Sequence, residues 1–137
     1  MPAEVFIDTN ILVYAHDKDA GEKHEDAKNL VMEFWQQDRW PCLSVQVLQE
    51  LYVNLQRKGV PIVETRETVK DYTTWHVVEN SVALLEEGMD EMERWKLSFW
   101  DSLILAAARR MEVSIIYSED LSDTQDYEGI RILNPFV

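Results

Sequence analysis

The sequence predicts an α/β domain built around a mainly parallel sheet. Three observations favour this class. Short apolar segments suited to strands alternate with longer segments suited to helices, and the helical segments carry apolar residues at intervals of three and four. The chain of 137 residues contains no internal repeat and no linker rich in Gly, Pro or Ser. We therefore expect one domain spanning residues 1–137.

The first part of the chain predicts a strand followed by two helices. Residues 4–8 form the expected first strand, and Asn10 is the expected N-cap of a short helix. A longer helix is expected over residues 22–37, because its apolar residues follow helical spacing. These residues are Ala27, Leu30, Val31, Phe34 and Trp35. Pro41 ends the pattern, and a short strand is expected at residues 42–43.

The middle of the chain predicts three helices and one strand. Ser44 is the expected N-cap of the first helix, which residues 59–61 end. A second helix is expected over residues 65–74 and a strand over residues 76–78. Asn80 or Ser81 begins the third helix. Four apolar residues share one face of that helix: Val82, Leu85, Met89 and Met92.

The last part of the chain predicts an alanine-rich helix beginning at Ser98 and strands at residues 114–117 and 131–133. The expected buried stripe of this helix consists of Trp100, Leu103, Ile104, Ala107 and Met111. The tryptophans at 35, 75, 95 and 100 are expected to be core or dimer contacts rather than platforms for stacking bases.

The composition limits the kinds of function that the chain supports. With 26 acidic and 13 basic residues the net charge is −13, which argues against binding nucleic acid mainly through a basic surface. It suits a binder of divalent cations, a binder of a basic protein, or a merely solvated surface. Cys42 is the only cysteine, so neither an intramolecular disulfide nor a thiolate zinc cluster is possible, and we expect it to be buried.

The sequence contains no apolar run near the ~20 residues that span a bilayer, and no basic flank precedes the first apolar segment. We expect a soluble, cytoplasmic protein without a membrane partner.

Four acidic residues occupy positions that lead to one edge of the sheet. Asp8 follows the first strand, and Asp120 follows the strand that ends near Tyr117. Glu50 and Asp101 lie near the starts of helices that follow strands. Because ligand sites of open parallel sheets form beyond the carboxyl ends of the strands, we expect these carboxylates to converge.

Crowded carboxylates repel one another unless a cation separates them, and hard ions such as Mg²⁺ or Mn²⁺ prefer oxygen ligands. Such a site suits hydrolysis of phosphodiesters, because the metal activates water and neutralises developing charge.

Each acid also has a structural explanation, with Asp8 the hardest to explain in this way because it ends an apolar strand. Asp101 follows Ser98 by three residues, as in a capping box. Glu50 lies off the apolar stripe of its helix, as a solvated glutamate would. Asp120 belongs to an acidic loop, and spacing alone does not choose among its members. The others are Glu119, Asp123, Asp126 and Glu128.

Taken together, these segments resemble the motifs of PIN domains. Residues 5–10 (VFIDTN) resemble the first motif, an apolar strand ending in Asp-Thr-Asn. Residues 44–51 (SVQVLQEL) resemble the second motif, and residues 99–108 (FWDSLILAAA) the third. Residues 117–121 (YSEDL) resemble the fourth, and residues 131–136 (RILNPF) are similar to the end of many VapC-type toxins. The motifs occur in the family's order over nearly the whole chain.

The resemblance implies a PIN-like three-layer α/β/α domain and a set of site residues. It implies that Asp8, Glu50 and Asp101 are the main catalytic metal ligands and that Asp120 is a weaker fourth. Three polar residues would orient these carboxylates, namely Thr9, Asn10 and Ser118. The loop of residues 120–128 is more acidic than the family pattern, so Asp123 is an alternative fourth acid.

The resemblance also implies an activity and partners. The activity is that of a Mg²⁺- or Mn²⁺-dependent endoribonuclease, the toxin of a toxin–antitoxin pair. The partners are an RNA substrate, a cognate antitoxin and a second copy of the chain in a homodimer. Six basic residues are candidates for holding RNA, although the sequence does not place them: Arg57, Lys58, Arg66, Lys70, Arg109 and Arg110.

Three other kinds of protein fit parts of the sequence. A haloacid-dehalogenase-like phosphatase needs a second aspartate two positions after the first, where this chain has Asn10. A receiver domain needs a lysine after a late strand, and residues 114–120 contain none. A non-catalytic PIN-fold interaction module is the main alternative, although such a module would be expected to have lost one of the first three acids.

Overall fold

A computed structural model of the protein describes residues 4–37 and 39–137. The strands are β1 (Val5–Ile7), β2 (Cys42–Ser44), β3 (His76–Val78), β4 (Ile115–Tyr117) and β5 (Arg131–Leu133). The helices are α1 (Thr9–His16), α2 (Glu22–Gln36), α3 (Val45–Arg57), α4 (Ile62–Tyr72), α5 (Val82–Trp95) and α6 (Phe99–Arg110), with a short 3-10 turn at Lys18–Ala20. Most of these elements lie where the sequence predicts them, within one or two residues.

The sheet is parallel in every pairing, and its strands lie in the order β3-β2-β1-β4-β5. The chain moves outward from β1 to β3 and then returns, so that β4 lies on the other side of β1. Strand order therefore reverses between β1 and β4. The predicted three-layer α/β/α fold with a mainly parallel sheet is confirmed. In such sheets, ligands bind beyond the carboxyl ends of the strands at the point of reversal.

The central strands are buried, as expected for a parallel sheet covered by helices. Phe6 of β1 lies in register with Cys42 on one side and with Ile116 on the other, and all three side chains are inaccessible to solvent. The predicted burial of Cys42 is confirmed. Because β1 is held between two strands, the residue that follows it has a fixed position at the edge of the sheet.

Two helices begin at residues other than the predicted ones. The prediction that Asn10 is an N-cap is wrong, because the carboxylate of Asp8 accepts the hydrogen bond of the Thr9 N–H and α1 starts at Thr9. Asp8 leaves β1 in an extended conformation, which suits a capping position. The helix predicted from residue 65 begins earlier, at Ile62, directly after Pro61.

The predicted buried stripe of α6 is wrong at its first member. Trp100 is 60% exposed, whereas Ile104 and Ala107 are buried. Trp100 lies in the first turn of α6, and its ring is open to solvent rather than packed in the core.

Helix α5 packs on α6 through a different face from its apolar one. Its inward residues include Leu84, Gly88 and Glu91, and Glu91 forms an ion pair with Arg109 of α6. The four apolar residues that share a face in the sequence are all exposed. No helix in the described part of the chain is long and apolar enough to cross a membrane.

Candidate active site

Asp8 lies at the end of β1, beside the point where strand order reverses. Its side chain is buried and accepts hydrogen bonds from the Thr9 N–H and the Ser118 hydroxyl, each at 2.7 Å. Burial raises the pKa of Asp8 to about 7, although these hydrogen bonds lower it, and the neighbouring Asp120 and Glu50 carboxylates raise it further. Within residues 4–37 and 39–137 this buried carboxylate has no cationic partner, and a bound cation would stabilise it.

Glu50 approaches Asp8 through Thr9. The Thr9 hydroxyl donates to Glu50 Oε1 at 2.5 Å, and the Gln46 amide lies 3.5 Å from Oε2. Glu50 lies on α3, whose apolar face is buried in the core. Glu50 is on the opposite face of this helix and is turned away from the core. Its carboxylate is therefore held in place rather than freely solvated.

Asp120 is brought to the same place by Asn10 and Ser118. The Asn10 amide donates to Asp120 Oδ2 at 3.0 Å and lies 3.4 Å from Asp8 Oδ2. The Ser118 hydroxyl oxygen accepts from the backbone N–H groups of Asp120 and Leu121 while its proton goes to Asp8. Ser118 thus couples the loop that follows β4 to the carboxylate that follows β1.

The loop also has an outer anchor, which was not predicted from the sequence. Glu119 accepts from the Tyr14 hydroxyl at 3.1 Å and pairs with Lys23 at 2.9 Å. The Glu119 N–H donates to Asn10 Oδ1 at 3.1 Å. Residues on α1 and α2 therefore fix the position of Asp120.

Asp101 stands in the first turn of α6, where Ser98 caps the helix by accepting from the Asp101 N–H at 3.1 Å. Partial burial raises the pKa of the Asp101 carboxyl, a hydrogen bond with Ser98 opposes this, and the charge of Asp120 raises it further. Asp101 is therefore near enough to Asp120 for their charges to interact.

Asp123, the alternative fourth acid, is placed elsewhere. Its carboxylate accepts from the Asn134 N–H at 2.7 Å and is exposed, so it serves the turn next to β5. The structure brings Asp8, Glu50, Asp101 and Asp120 to one edge of the sheet and leaves Asp123 outside this set.

Within residues 4–37 and 39–137, no three acidic, histidine or cysteine side chains form a ready-made cage for a metal ion. Thr9 and Asn10 instead stand between the carboxylates and donate to them. The donor set nevertheless fits a hard divalent cation, because it consists of oxygen atoms and because burial, with a smaller contribution from mutual repulsion, already raises the pKa of Asp8 and Asp101.

An open cleft of about 690 Å³ lies above these residues, between α1, α3 and the start of α6. Helix α3 lines it with a stripe of spacing three and four that is polar apart from Val53 and consists of Gln46, Gln49, Glu50, Val53, Asn54 and Arg57. Lys58 and Trp100 complete the walls, together with Thr9, Asn10 and Asp120. Sequence analysis missed the glutamines and Asn54, although their spacing from Glu50 on the outward face was a usable signal.

The structure also places the basic residues that the sequence left unplaced. Arg57 and Lys58 line the cleft, and Lys58 pairs with Asp17 at 2.8 Å. Arg109 and Arg110 pair instead with glutamates of α5, and Arg66 and Lys70 lie by a separate groove beside α4.

The fold and the site define a parallel α/β domain with an acidic cleft at its switch point. A family model of the PIN domain matches residues 5–123, which is most of the chain. The protein belongs to the PIN domain family. No curated protein matches the chain in sequence.

Solved structures support the same fold. A toxin–antitoxin complex from Klebsiella pneumoniae is 21% identical, with a TM-score of 0.67, over 96% of this chain and 97% of the other. The sarcin-ricin loop cleaving toxin VapC20 of Mycobacterium tuberculosis is 19% identical, with a TM-score of 0.64, over 85% and 89%. FitAcB from Neisseria gonorrhoeae is 14% identical, with a TM-score of 0.67, over 96% and 98%.

Proposed function

We propose that the protein is a metal-dependent endoribonuclease and the toxin of a toxin–antitoxin pair, acting in the cytoplasm. The observation that carries the proposal is the buried carboxylate of Asp8 at the switch point, with Glu50, Asp101 and Asp120 around it. The structural neighbours add support, since one is described as a sarcin-ricin loop cleaving toxin and another as a toxin–antitoxin complex. A non-catalytic module has no use for this costly arrangement of charges.

In this proposal Asp8, Glu50, Asp101 and Asp120 hold Mg²⁺ or Mn²⁺. A bound ion of this kind activates water and neutralises charge that develops on a phosphodiester. Thr9, Asn10 and Ser118 act as positioning residues, because each donates a hydrogen bond to one of the carboxylates. Ser118 sets the orientation of Asp8, and Asn10 fixes the separation of Asp8 from Asp120.

The test is cleavage of total RNA by the purified protein with Mg²⁺ or Mn²⁺, and then with EDTA. We expect Asp8→Asn and Asp120→Asn to lose cleavage, with Asp8→Asn the more severely affected. Asp123→Asn is the matched control, since it removes the same charge from the same loop but outside the site. Full activity of Asp8→Asn, or cleavage that persists in EDTA, would contradict the proposal.

We also propose that a cognate antitoxin blocks this cleft. Arginine binds carboxylates through two parallel hydrogen bonds, so an inserted Arg, or a Lys, among Asp8, Glu50 and Asp101 would compete with the metal. The apparent affinity of the antitoxin should then fall as Mn²⁺ is raised, and inhibition should weaken when its basic residue becomes alanine. Inhibition that is equal at every metal concentration and independent of a basic residue would place the block elsewhere.

A homodimer is part of the same proposal, and the exposed apolar face of α5 is where it can be tested. Met89 is 47% exposed and lies at the middle of that face. If this face joins two copies, Met89→Glu should yield monomers in sedimentation equilibrium, whereas Val63→Glu, at an exposed position on α4, should not. If the wild-type protein is monomeric at micromolar concentrations, the proposed homodimer is contradicted.

A further inference from the structure

One wall of the cleft carries a large aromatic side chain that the core does not use. Trp100 is 60% exposed and lines the cleft immediately before Asp101 in the chain. Its position is fixed from two sides, because its carbonyl accepts from the Gln46 amide at 3.2 Å and its ring meets Phe99 edge-on at 5.0 Å. An indole held open to solvent beside a cluster of acids presents a flat apolar surface to whatever enters the cleft.

The other wall is formed by α3, whose outward face changes from acidic to basic along its length. Glu50 and Arg57 lie on this face about 10 Å apart along the helix axis, at ~1.5 Å per residue. Between them lie the carboxamide of Asn54 and the side chain of Val53. Within residues 4–37 and 39–137, Arg57 has no carboxylate partner, whereas the adjacent Lys58 pairs with Asp17.

We propose that Trp100 stacks on a base next to the reacting phosphate and that Arg57 binds a phosphate farther along the same RNA strand. This inference rests on the proposed ribonuclease function and adds the residues that hold the substrate. It departs from the sequence-based prediction that Trp100 is a core or dimer contact rather than a platform for stacking bases.

Unpaired RNA is the substrate form that these two side chains suit. Every base has a π-face that can stack on an indole, but only an unstacked base has that face free. An arginine binds a backbone phosphate whatever the base sequence. The faces of paired bases in a continuous duplex are covered by their neighbours. A protein with a net charge of −13 has little general attraction for a polyanion, so such local contacts matter more here.

The first experiment measures the binding of a labelled, unstructured RNA of about 12 nucleotides by fluorescence anisotropy, with Ca²⁺ in place of Mg²⁺ and Mn²⁺. Trp100→Leu should weaken binding by about 10-fold, and Trp100→Phe should restore most of it, because stacking needs an aromatic ring. The control is Trp40→Leu, since Trp40 is 38% exposed but packs against Trp35 and lies outside the cleft. A duplex of the same length should bind weakly and respond little to any of these changes.

The second experiment measures how binding depends on salt. Arg57→Gln should reduce the slope of log affinity against log salt by about 1, as expected for one lost phosphate contact. Arg66→Gln removes the same charge from α4, away from the cleft, and should leave the slope nearly unchanged. Equal effects of the two substitutions would mean that only net charge matters and would overturn the role of Arg57.

The outcomes separate this inference from the proposed function. If the wild type cleaves RNA and Trp100→Leu binds and cleaves as well as the wild type, the inference is wrong and the ribonuclease stands. If the wild type cleaves no RNA with either metal, the proposed function fails, and the binding measurements still decide the inference. If Trp100→Leu is monomeric in sedimentation where the wild type is dimeric, and yet binds RNA with unchanged affinity, then Trp100 is a subunit contact and the inference is overturned.

Discussion

The substitution Asp8→Asn should stabilise the metal-free protein while it abolishes activity. Burial raises the pKa of Asp8 from 3.8 to about 7, a shift of roughly 3 units, and each unit corresponds to about 1.4 kcal/mol. The ionised carboxylate therefore lowers the free energy of unfolding by about 4 kcal/mol above neutral pH. Asparagine carries no charge and still accepts the Thr9 N–H, as an N-cap should.

The substitution to asparagine also has a free-energy cost. If Oδ1 keeps the Thr9 N–H, the amide nitrogen of asparagine takes the place of Oδ2, where it faces two donors, the Ser118 hydroxyl and the Asn10 amide. The pKa of about 7 already includes the hydrogen bond from Ser118 to the ionised carboxylate, so only the burial of this amide N–H group without an acceptor is counted here. It costs about 2 kcal/mol, which leaves a net gain of about 2 kcal/mol. For a domain of this size the melting temperature should rise by about 8 °C at about pH 8 in EDTA, measured by differential scanning calorimetry.

The pH dependence supplies the control. Because the pKa of Asp8 is higher in the folded chain than in the unfolded chain, the destabilisation is absent below about pH 4, grows as pH rises, and is complete above about pH 7. At about pH 5.5 the cost of the charge falls by roughly half, so the advantage of asparagine should nearly vanish. A variant less stable than the wild type at both pH values, or an advantage independent of pH, would refute this reasoning.

Two further predictions concern α6 and its neighbour α5. Ser98→Ala should lower the free energy of unfolding by about 1 kcal/mol in urea titrations and keep RNA cleavage. Asp101→Asn should lose cleavage. If both variants are only less stable and still cleave RNA, Asp101 is merely part of a helix cap. Arg109→Met should cost about 3 kcal/mol or more, because it leaves the buried Glu91 carboxylate without its cation. Adding Glu91→Gln should recover most of that loss, and a double variant as unstable as the sum of the single variants would contradict the ion-pair explanation.

The order of elements was predictable because each one is encoded in local sequence. Apolar runs such as residues 5–7 and 115–117 are too short for helices and therefore predict strands. A long helix such as α2 has apolar residues at intervals of three and four, and this spacing predicts it. The end of β1 was predictable for the same reason, since a carboxylate directly after an apolar strand has few structural explanations. The error at Asn10 arose because Asp8 supplies both the end of the strand and the cap of the helix.

The connections within the site were not predictable, because they join distant parts of the chain. Asn10 contacts Asp120 across 110 residues of sequence, and nothing near either residue encodes that contact. The choice between Asp120 and Asp123 likewise depends on a turn in which Ser118 accepts the Asp120 N–H, while Asp123 accepts from Asn134. The prediction that Trp100 belongs to a buried stripe was wrong because apolar spacing does not reveal that the first turn of α6 opens on the cleft.

Helix α3 shows how one amphipathic segment builds both the core and the cleft. Leu51 and Leu55 fill the interior, and this fixes the rotation of the helix, so that Glu50, Asn54 and Arg57 must face outward together. The carboxylate lies next to Thr9 and the rest of the acidic cluster, whereas the guanidinium lies two turns farther on, in the last turn, where the helix dipole favours a cation. Under the proposals above, an RNA strand that enters the cleft would meet Arg57 about 10 Å along the helix axis from Glu50, a separation set by the rise of the helix.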